Sequence, residues 1–523
     1  MSLLVCVNAA VRSTHADTAL AGDRSAIDLL AERIGALSDV CGVVVLHTAG
    51  HRQSYPAEWQ HMELRASGEH DVVDALQRAV AAHDGCDLVL YCHFDAPFLD
   101  LDLCNAMIAD HRRYVAEYSF ADGYPAGLAP ELLAAGVLPR LQPLVQDGAG
   151  SPGVPRDLLF QIIQRDINAF DIETALSKHD QRMLRIELYC DTRRNWELCR
   201  RLCELDATTA AAIVEHTNRD LRLLRTLPAY VSIDIVEGGP QDVAYSPYRL
   251  FGPAGKGKQR EMSAAQLEKL VADVERFAPG CVYSLGVWGE PGLHSDPEAV
   301  VEAVIRAHGR QTAEGAPAAA DERNARSSGD EPRIVIETSG VGWDQAQFER
   351  LVSRKEITWI VHLDAVDAEV YRQVRGEGFE EAMRFCHQLF ELAPERAYVQ
   401  SVRYADVEEH TEKFYRYWKE RTDNVIIQKY DHFCGELADK RITDISPVKR
   451  FPCWHLRRDL TVLVDGTVPR CREDIRCRHA VGNLLTDGVE RIWDSLEPVY
   501  AEHAAGTYPD ICRNCDEYYT FNF

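Results

Sequence analysis

Five cysteines, Cys453, Cys471, Cys477, Cys512 and Cys515, fall within the last 71 residues of this 523-residue chain, and their spacing constrains the fold more than any other feature. Twelve residues separate Cys453 from Gly466, and four more lead to Cys471; Gly482-Asn483 and Trp493 then precede the pair Cys512-Arg-Asn-Cys515. A Cys-x2-Cys turn points two thiolates at one centre. Two further thiolates from a neighbouring hairpin complete a four-sulfur shell, the ligand set of a [4Fe-4S] cluster or of a structural zinc. Such a tail is expected to fold around a metal centre.

The order Cys453, strand Leu460 to Val464, turn Asp465-Gly466, Cys471, Gly482-Asn483, Ile492-Trp493 and Cys512-x2-Cys515 resembles the SPASM domain. That module is the auxiliary iron–sulfur domain of many radical-SAM peptide-modifying enzymes. A full SPASM domain binds two clusters and needs cysteines beyond the Cys-x2-Cys pair, but position 521 is Phe521 and the sequence ends at Phe523. The single-cluster form, the twitch domain, accounts for that shortfall. The resemblance then implies Cys453, Cys471, Cys512 and Cys515 as ligands and leaves Cys477 over. A zinc ribbon with four cysteine ligands is the alternative for the same donor type.

A chain of this length exceeds one ordinary core, so two or three domains are expected. Acidic residues outnumber basic ones 82 to 57, a net charge of −25, and no Lys/Arg run offsets them. Phosphate-backbone binding depends on clustered cations, so nucleic acid is excluded as a partner. The N-terminus lacks a basic region and a small-residue cleavage site, and no apolar run reaches the ~18 residues of a membrane span. These features predict a cytoplasmic protein without membrane insertion. Most of the sixteen cysteines lie singly in apolar segments, as buried small hydrophobes do, and stay thiols in a reducing compartment.

Strand-like apolar runs alternate with amphipathic stretches, which predicts α/β architecture with parallel sheets. Three blocks emerge: 1–225, 226–450 and 451–523. The first has strand candidates at Leu3 to Val7, Val43 to Leu46, Leu88 to Tyr91 and Leu184 to Tyr189, with a Gly/Pro-rich break at Gly148 to Gly153. The second repeats strand then helix, with strands at Tyr230 to Ile235, Val282 to Val287, Ile334 to Glu337, Trp359 to Leu363, Tyr398 to Val402 and Val425 to Gln428. Ser263-Ala-Ala-Gln266 forms a capping box before an apolar face of Leu267, Leu270, Val271, Val274 and Phe277. Residues Thr312 to Asp330 have no apolar period and read as a solvated insertion.

The middle block resembles the partial (β/α) barrel of radical-SAM enzymes. The landmarks are Gly289-Glu290-Pro291 after its second strand, Glu337-Thr-Ser-Gly340 after the third, Leu363-Asp364 after the fourth, and Tyr371 to Gly376 in the following helix. The resemblance implies contact between Glu290 and the amino group of S-adenosylmethionine; as a plain reading, Glu290 is a barrel-rim carboxylate. The family's three cluster cysteines are missing, because the loop from Val236 to Tyr248 contains no cysteine. A radical-SAM-like fold without S-adenosylmethionine cleavage is therefore expected.

The first block resembles nucleotidyltransferases of the cytidylyltransferase and sugar-nucleotide type, which have a doubly wound sheet. Matching pieces are Gly22 to Leu30, Phe94-Asp95-Ala96-Pro97, Asp122 to Gly127 and Cys190-Asp191-Thr192. The resemblance implies Mg2+ coordination by Asp95 and Asp191. On the residues alone, Asp95 caps the Ala96-Pro97 turn and Asp191 caps the helix starting near Arg193. The first loop, Asn8 to Gly22, lacks the family's glycine-rich basic cradle and offers only Arg12, with Arg24 beyond it.

A transferase-like domain, a cysteine-less barrel and a short SPASM tail together look like the spiro-SPASM proteins. The expected function is that of a [4Fe-4S] protein whose cluster is structural or electron-carrying, assisting modification of a peptide or envelope precursor. The rival expectation is a Mg2+-dependent nucleotidyl- or glycosyltransferase acting through Asp95 and Asp191.

Overall fold

The computed structural model describes residues 2–11, 13–49, 51, 53, 55–65, 68–146, 154–247, 260–314 and 333–520, with side chains left out at 310–314. Arg12, the 148–153 break, Tyr248, Phe521, Phe523 and most of the 312–330 insertion lie outside them. The chain is α/β and forms two compact units, Met1–Thr226 and Leu227–Phe523.

The first unit holds β1 (Ser2–Asn8), β2 (Val40–His47), β3 (Gln60–Glu63), β4 (Cys86–His93), β5 (Tyr118–Asp122), β6 (Glu131–Ala134) and β7 (Ile172–Leu176). They form one sheet in the order β3-β2-β1-β4-β6-β5-β7. Strand β6 runs antiparallel to both its neighbours, and the other pairs are parallel. The central β1 is a nearly continuous buried apolar run, as a strand covered on both faces must be. The strand expected at Leu184 to Tyr189 does not form. Residues Arg182–Leu184 are a 3-10 turn, and Glu187 makes only an isolated bridge to Ala126. The polar and left-handed residues around this segment, with Arg185 at φ 46°, interrupt any ladder.

The second unit carries β8 (Tyr230–Ile233), β9 (Val282–Leu285), β10 (Arg333–Thr338), β11 (Ile357–His362), β12 (Ala397–Arg403), β13 (Val425–Lys429) and β14 (Asp459–Val462). Their order is β13-β12-β11-β10-β9-β8-β14, and every pair is parallel. Helices between the strands bury one face, where Val231, Tyr283, Ile336, Trp359 and Val399 belong to the main core. Tyr230, Val282, Val335 and Ile360 form a smaller cluster of their own. The capping box forms: Ser263 Oγ accepts from the Gln266 amide, and the Gln266 side chain accepts from the Ser263 amide. Strand β14 comes from beyond residue 450 yet pairs with β8, Asp459 opposite Tyr230 and Val462 opposite Ile233. The cysteine-bearing tail is thus built into the sheet of the second unit.

Candidate metal centre

The tail's backbone presents its cysteines in turns. Cys453 starts the short helix Trp454–Arg458, whose chain leads directly into β14. The turn after β14 depends on Gly466 at φ 85°, where a Cβ would lie 2.7 Å from Asn483 Oδ1 and 2.8 Å from Leu485. Only glycine fits there. The hairpin of β15 (Thr467–Val468) and β16 (Gly482–Asn483) follows, with Cys471 in the connection. Cys512 and Cys515 share the last turn, closed by the Cys515 amide donating to the Cys512 carbonyl at 3.3 Å.

Cys453, Cys471, Cys512 and Cys515 line one enclosed pocket, and Cys477 is outside it. A fifth thiol, Cys434, also lines the pocket. It sits in the Phe433–Gly435 turn with left-handed φ 54°, and its sulfur is hydrogen-bonded to that of Cys515. Sequence spacing missed it, because it lies nineteen positions before Cys453 and carries no motif of its own.

Burial, then the Cys515 sulfur, pushes the Cys453 thiol well up; burial, then Glu473, does so for Cys471. Burial also pushes Cys512 up to about 11. These thiols therefore keep their protons until a cationic centre takes the protons' place. His503 lines the same pocket, and burial, with Arg450 and Arg470 nearby, lowers it to about 4. It is a neutral imidazole whose Nδ1 accepts from the Cys453 amide at 3.4 Å. The ring proton therefore sits on Nε2, which is buried without an acceptor among the described residues. The Glu517 amide donates to Cys515 Sγ at 3.4 Å, and Arg470 hydrogen-bonds Cys512. A thiol shell with N–H donors aimed at its sulfurs fits an anionic iron–sulfur cluster. Among the described residues, no three His, Cys, Asp or Glu side chains converge as they would around a single ion.

In the first unit, Asp95 lies just past β4 and is fully buried. The Cys190 amide donates to the Asp95 carbonyl at 2.8 Å, which brings Asp191 alongside. The two carboxylates do meet, but on a guanidinium. Arg156 donates to both Asp95 oxygens at 2.9 and 2.7 Å, and its Nη2 is 3.4 Å from Asp191 Oδ2. Arg156 also stacks on Tyr189 at 3.8 Å. The pair already has a cation, so the residues present do not fit a Mg2+ ion held between them. The helix-cap reading of Asp191 is also corrected: Thr192 is the cap, its Oγ1 accepting from the Asn195 amide at 3.2 Å, while Asp191 accepts from Asn195 Nδ2 at 2.9 Å.

In the second unit, Glu290 is buried and both its oxygens are engaged. One accepts from the Thr338 hydroxyl and from the Gly292 amide at 3.4 Å; the other accepts from the Ser339 amide at 2.8 Å and hydroxyl at 2.6 Å. Gly289 packs against the loop after β8, and a Cβ there would lie 1.8 Å from the Val236 carbonyl oxygen. That loop is itself pinned. Gln241 donates to the Tyr371 hydroxyl at 2.8 Å, and the Tyr245 hydroxyl donates to Asp364 at 2.6 Å. Arg375 meets the same Asp364 oxygen at 2.6 Å. Where the radical-SAM resemblance places cluster thiols, this chain has a buried polar lock.

Residues 453–516 match the family model of SPASM, described as an iron–sulfur cluster-binding domain. A protein of Treponema pallidum (strain Nichols), described as uncharacterized, is 34% identical over 383 residues, which cover 70% of this chain and 98% of that one. This chain belongs to that protein's family. Within this family member, the SPASM match coincides with the four pocket cysteines of the tail, while Cys434 falls outside it. Among solved structures, Streptococcus suis SuiB bound to precursor peptide SuiA is similar at a TM-score of 0.41 and 11% identity, covering 64% of this chain and 76% of that one. A cytidylyltransferase from Leptospira borgpetersenii serovar Hardjo-bovis is similar at a TM-score of 0.34 and 14% identity, covering 42% and 95%. Both likenesses are distant, and the strand orders above stand without them. No helix among the described residues is long and apolar enough to cross a membrane.

Proposed function

We propose that this iron–sulfur protein holds one [4Fe-4S] cluster on Cys453, Cys471, Cys512 and Cys515, and that it does not cleave S-adenosylmethionine. The observation that carries the reading is the buried thiol pocket with the orphaned His503 Nε2–H at its wall. When bound, a cluster of this kind supplies one-electron transfer and a covalent crosslink between the segments that ligate it. The chain's own residues do the rest. His503, Arg470 and the Glu517 amide offer hydrogen bonds to sulfur, and Arg450 fixes the last turn by donating to the Cys512 carbonyl at 2.6 Å. The pinned loop after β8 and the saturated Glu290 support a barrel that no longer serves the radical reaction. With the transferase-like first unit, this arrangement supports membership of the spiro-SPASM group, located in the cytoplasm, with a peptide or envelope precursor as the expected partner. Arg156 between Asp95 and Asp191 argues against the rival reading of a Mg2+-dependent nucleotidyl- or glycosyltransferase.

Anaerobic purification of the full chain, with iron, sulfide and zinc analysis, tests the reading. About four iron and four sulfide per chain are expected for one cubane cluster; stoichiometric zinc without sulfide overturns it. Sustained 5′-deoxyadenosine formation with dithionite and S-adenosylmethionine would overturn the second half.

A further inference from the structure

The first unit contains a cavity of about 480 Å³ next to the Asp95–Arg156 pair. That is the size of a small-molecule site. Its walls include Tyr118, Phe120, Phe160 and Tyr189. Phe120 packs against Tyr118 at 5.7 Å and against Phe160 at 5.2 Å between ring centres, so the aromatic wall is continuous.

The polar part of the lining is acidic. Glu131, Asp157 and Glu187 reach the cavity, with Asp122 at its edge in an ion pair with Arg182. The first three bond to neutral groups: Glu131 to the Tyr118 hydroxyl, Asp157 to Gln161 Nε2 at 2.9 Å and Glu187 to Asn195 Nδ2 at 3.2 Å. Among the described residues none of the three is ion-paired. Arg156, the basic side chain of the lining, is already committed to Asp95 and Asp191. Glu131 is half-buried, while Asp157 and Glu187 are exposed at the mouth, so the site presents carboxylates that a cationic ligand can meet without first breaking an ion pair. Burial, with Asp157 adding to it, raises Glu131 to about 7.

His93 supplies a second and independent sign. It lines the cavity and is only 7% exposed. Its Nε2 lies 3.1 Å from the Arg156 carbonyl oxygen. A carbonyl only accepts, so Nε2 carries the proton and Nδ1 is a lone pair. That Nδ1 is buried with no partner among the described residues. Burial, then the Arg156 charge, lowers His93 to about 3, which keeps this tautomer neutral. The lining thus holds an acceptor without a donor beside its carboxylates.

We propose that this cavity binds a small organic ammonium ion that carries N–H donors, a primary or secondary amine with an apolar body. Aromatic faces attract the cation, the carboxylates neutralise it, and an N–H satisfies the His93 lone pair. A phosphate or nucleotide is repelled by the same carboxylates. A neutral sugar gains nothing from their charge, and a quaternary ammonium has no proton for His93.

The test is calorimetry and thermal shift on the full chain with tyramine and its uncharged counterpart tyrosol. Tyramine is expected to bind at least about tenfold more tightly than tyrosol, a difference of about 1.4 kcal/mol. Glu131→Gln and Asp157→Asn are each expected to weaken tyramine by a similar factor, with circular dichroism confirming that the variants fold. Phe160→Ala is a further probe should either carboxylate variant fail to fold. No tyramine binding at millimolar concentration, equal binding of tyrosol, or binding untouched by every folded variant overturns the proposal. Tight binding of CTP with Mg2+ in place of the amine does so as well.

Discussion

The cysteine pocket of the second unit and the carboxylate crevice of the first both read as metal sites in the sequence, and the structure treats them oppositely. The cysteines surround a pocket in which His503 keeps a buried N–H without an acceptor among the described residues. Asp95 and Asp191 instead close on Arg156, a cation that the chain itself provides. In both places the side chains named from the sequence come together. What separates them is whether the fold has already supplied the counter-charge, and an arginine 61 residues from Asp95 decides that.

The largest effect that would break this contrast is on bound metal. Cys453→Ser, Cys471→Ser or Cys512→Ser is expected to lower cluster iron and sulfide well below the native chain's, because each removes one of the four protein anchors, whereas Cys477→Ser retains both. Iron analysis and the visible absorption of anaerobic protein check this. Full iron retention in Cys471→Ser with loss in Cys477→Ser would reverse the assignment.

In the first unit, Arg156→Ala is expected to destabilise by about 3–5 kcal/mol, the usual result of leaving a buried carboxylate without its partner. Denaturant unfolding measures it, and Arg156→Met combined with Asp95→Asn should recover much of the loss. If added Mg2+ restores the stability of Arg156→Ala by several degrees, the crevice keeps a latent metal site and the contrast softens.

A smaller effect concerns pH. Glu131 has a folded pKa near 7, above the ordinary carboxylate value, so between about pH 4.5 and 7 the folded chain binds more protons than the unfolded one. Its contribution is complete below that window and is lost as pH rises through it. Glu131→Gln should therefore gain stability relative to the native chain from pH 4.5 to 7, as thermal unfolding across that range would show; a flat difference would mean that the carboxyl is not held protonated.

The smallest expected change is at Cys434. Four other thiols suffice for the cluster, so Cys434→Ser should retain iron while altering the electron paramagnetic resonance of the reduced protein, since its sulfur contacts Cys515. Iron loss equal to that in Cys515→Ser would move Cys434 into the ligand shell.

Much of the fold was legible along the chain. Each strand of the second sheet was visible as a short run of apolar residues between helical stretches, because at least one face of each strand packs against the core. The Ser263 capping box and the Gly466 turn were equally local. The first unit was less readable. Strands β3, β5, β6 and β7 carry polar or half-buried residues, and the 184–189 run alternates apolar and charged residues without being a strand. Their pairing depends on partners far away in sequence.

The candidate sites divide along the same line. The five tail cysteines stood out by their spacing, and the family resemblance implied Cys453, Cys471, Cys512 and Cys515 among them. Cys434, His503 and Arg156 had no local signature. Their roles exist only because the 433–435 turn folds over the pocket, the Glu497–Ala504 helix brings His503 to the Cys453 amide, and the segment before Leu158–Gln164 carries Arg156 to Asp95. Short-range geometry is written in spacing; which distant charge or donor fills a site is set when the chain packs, and only the tertiary structure holds that.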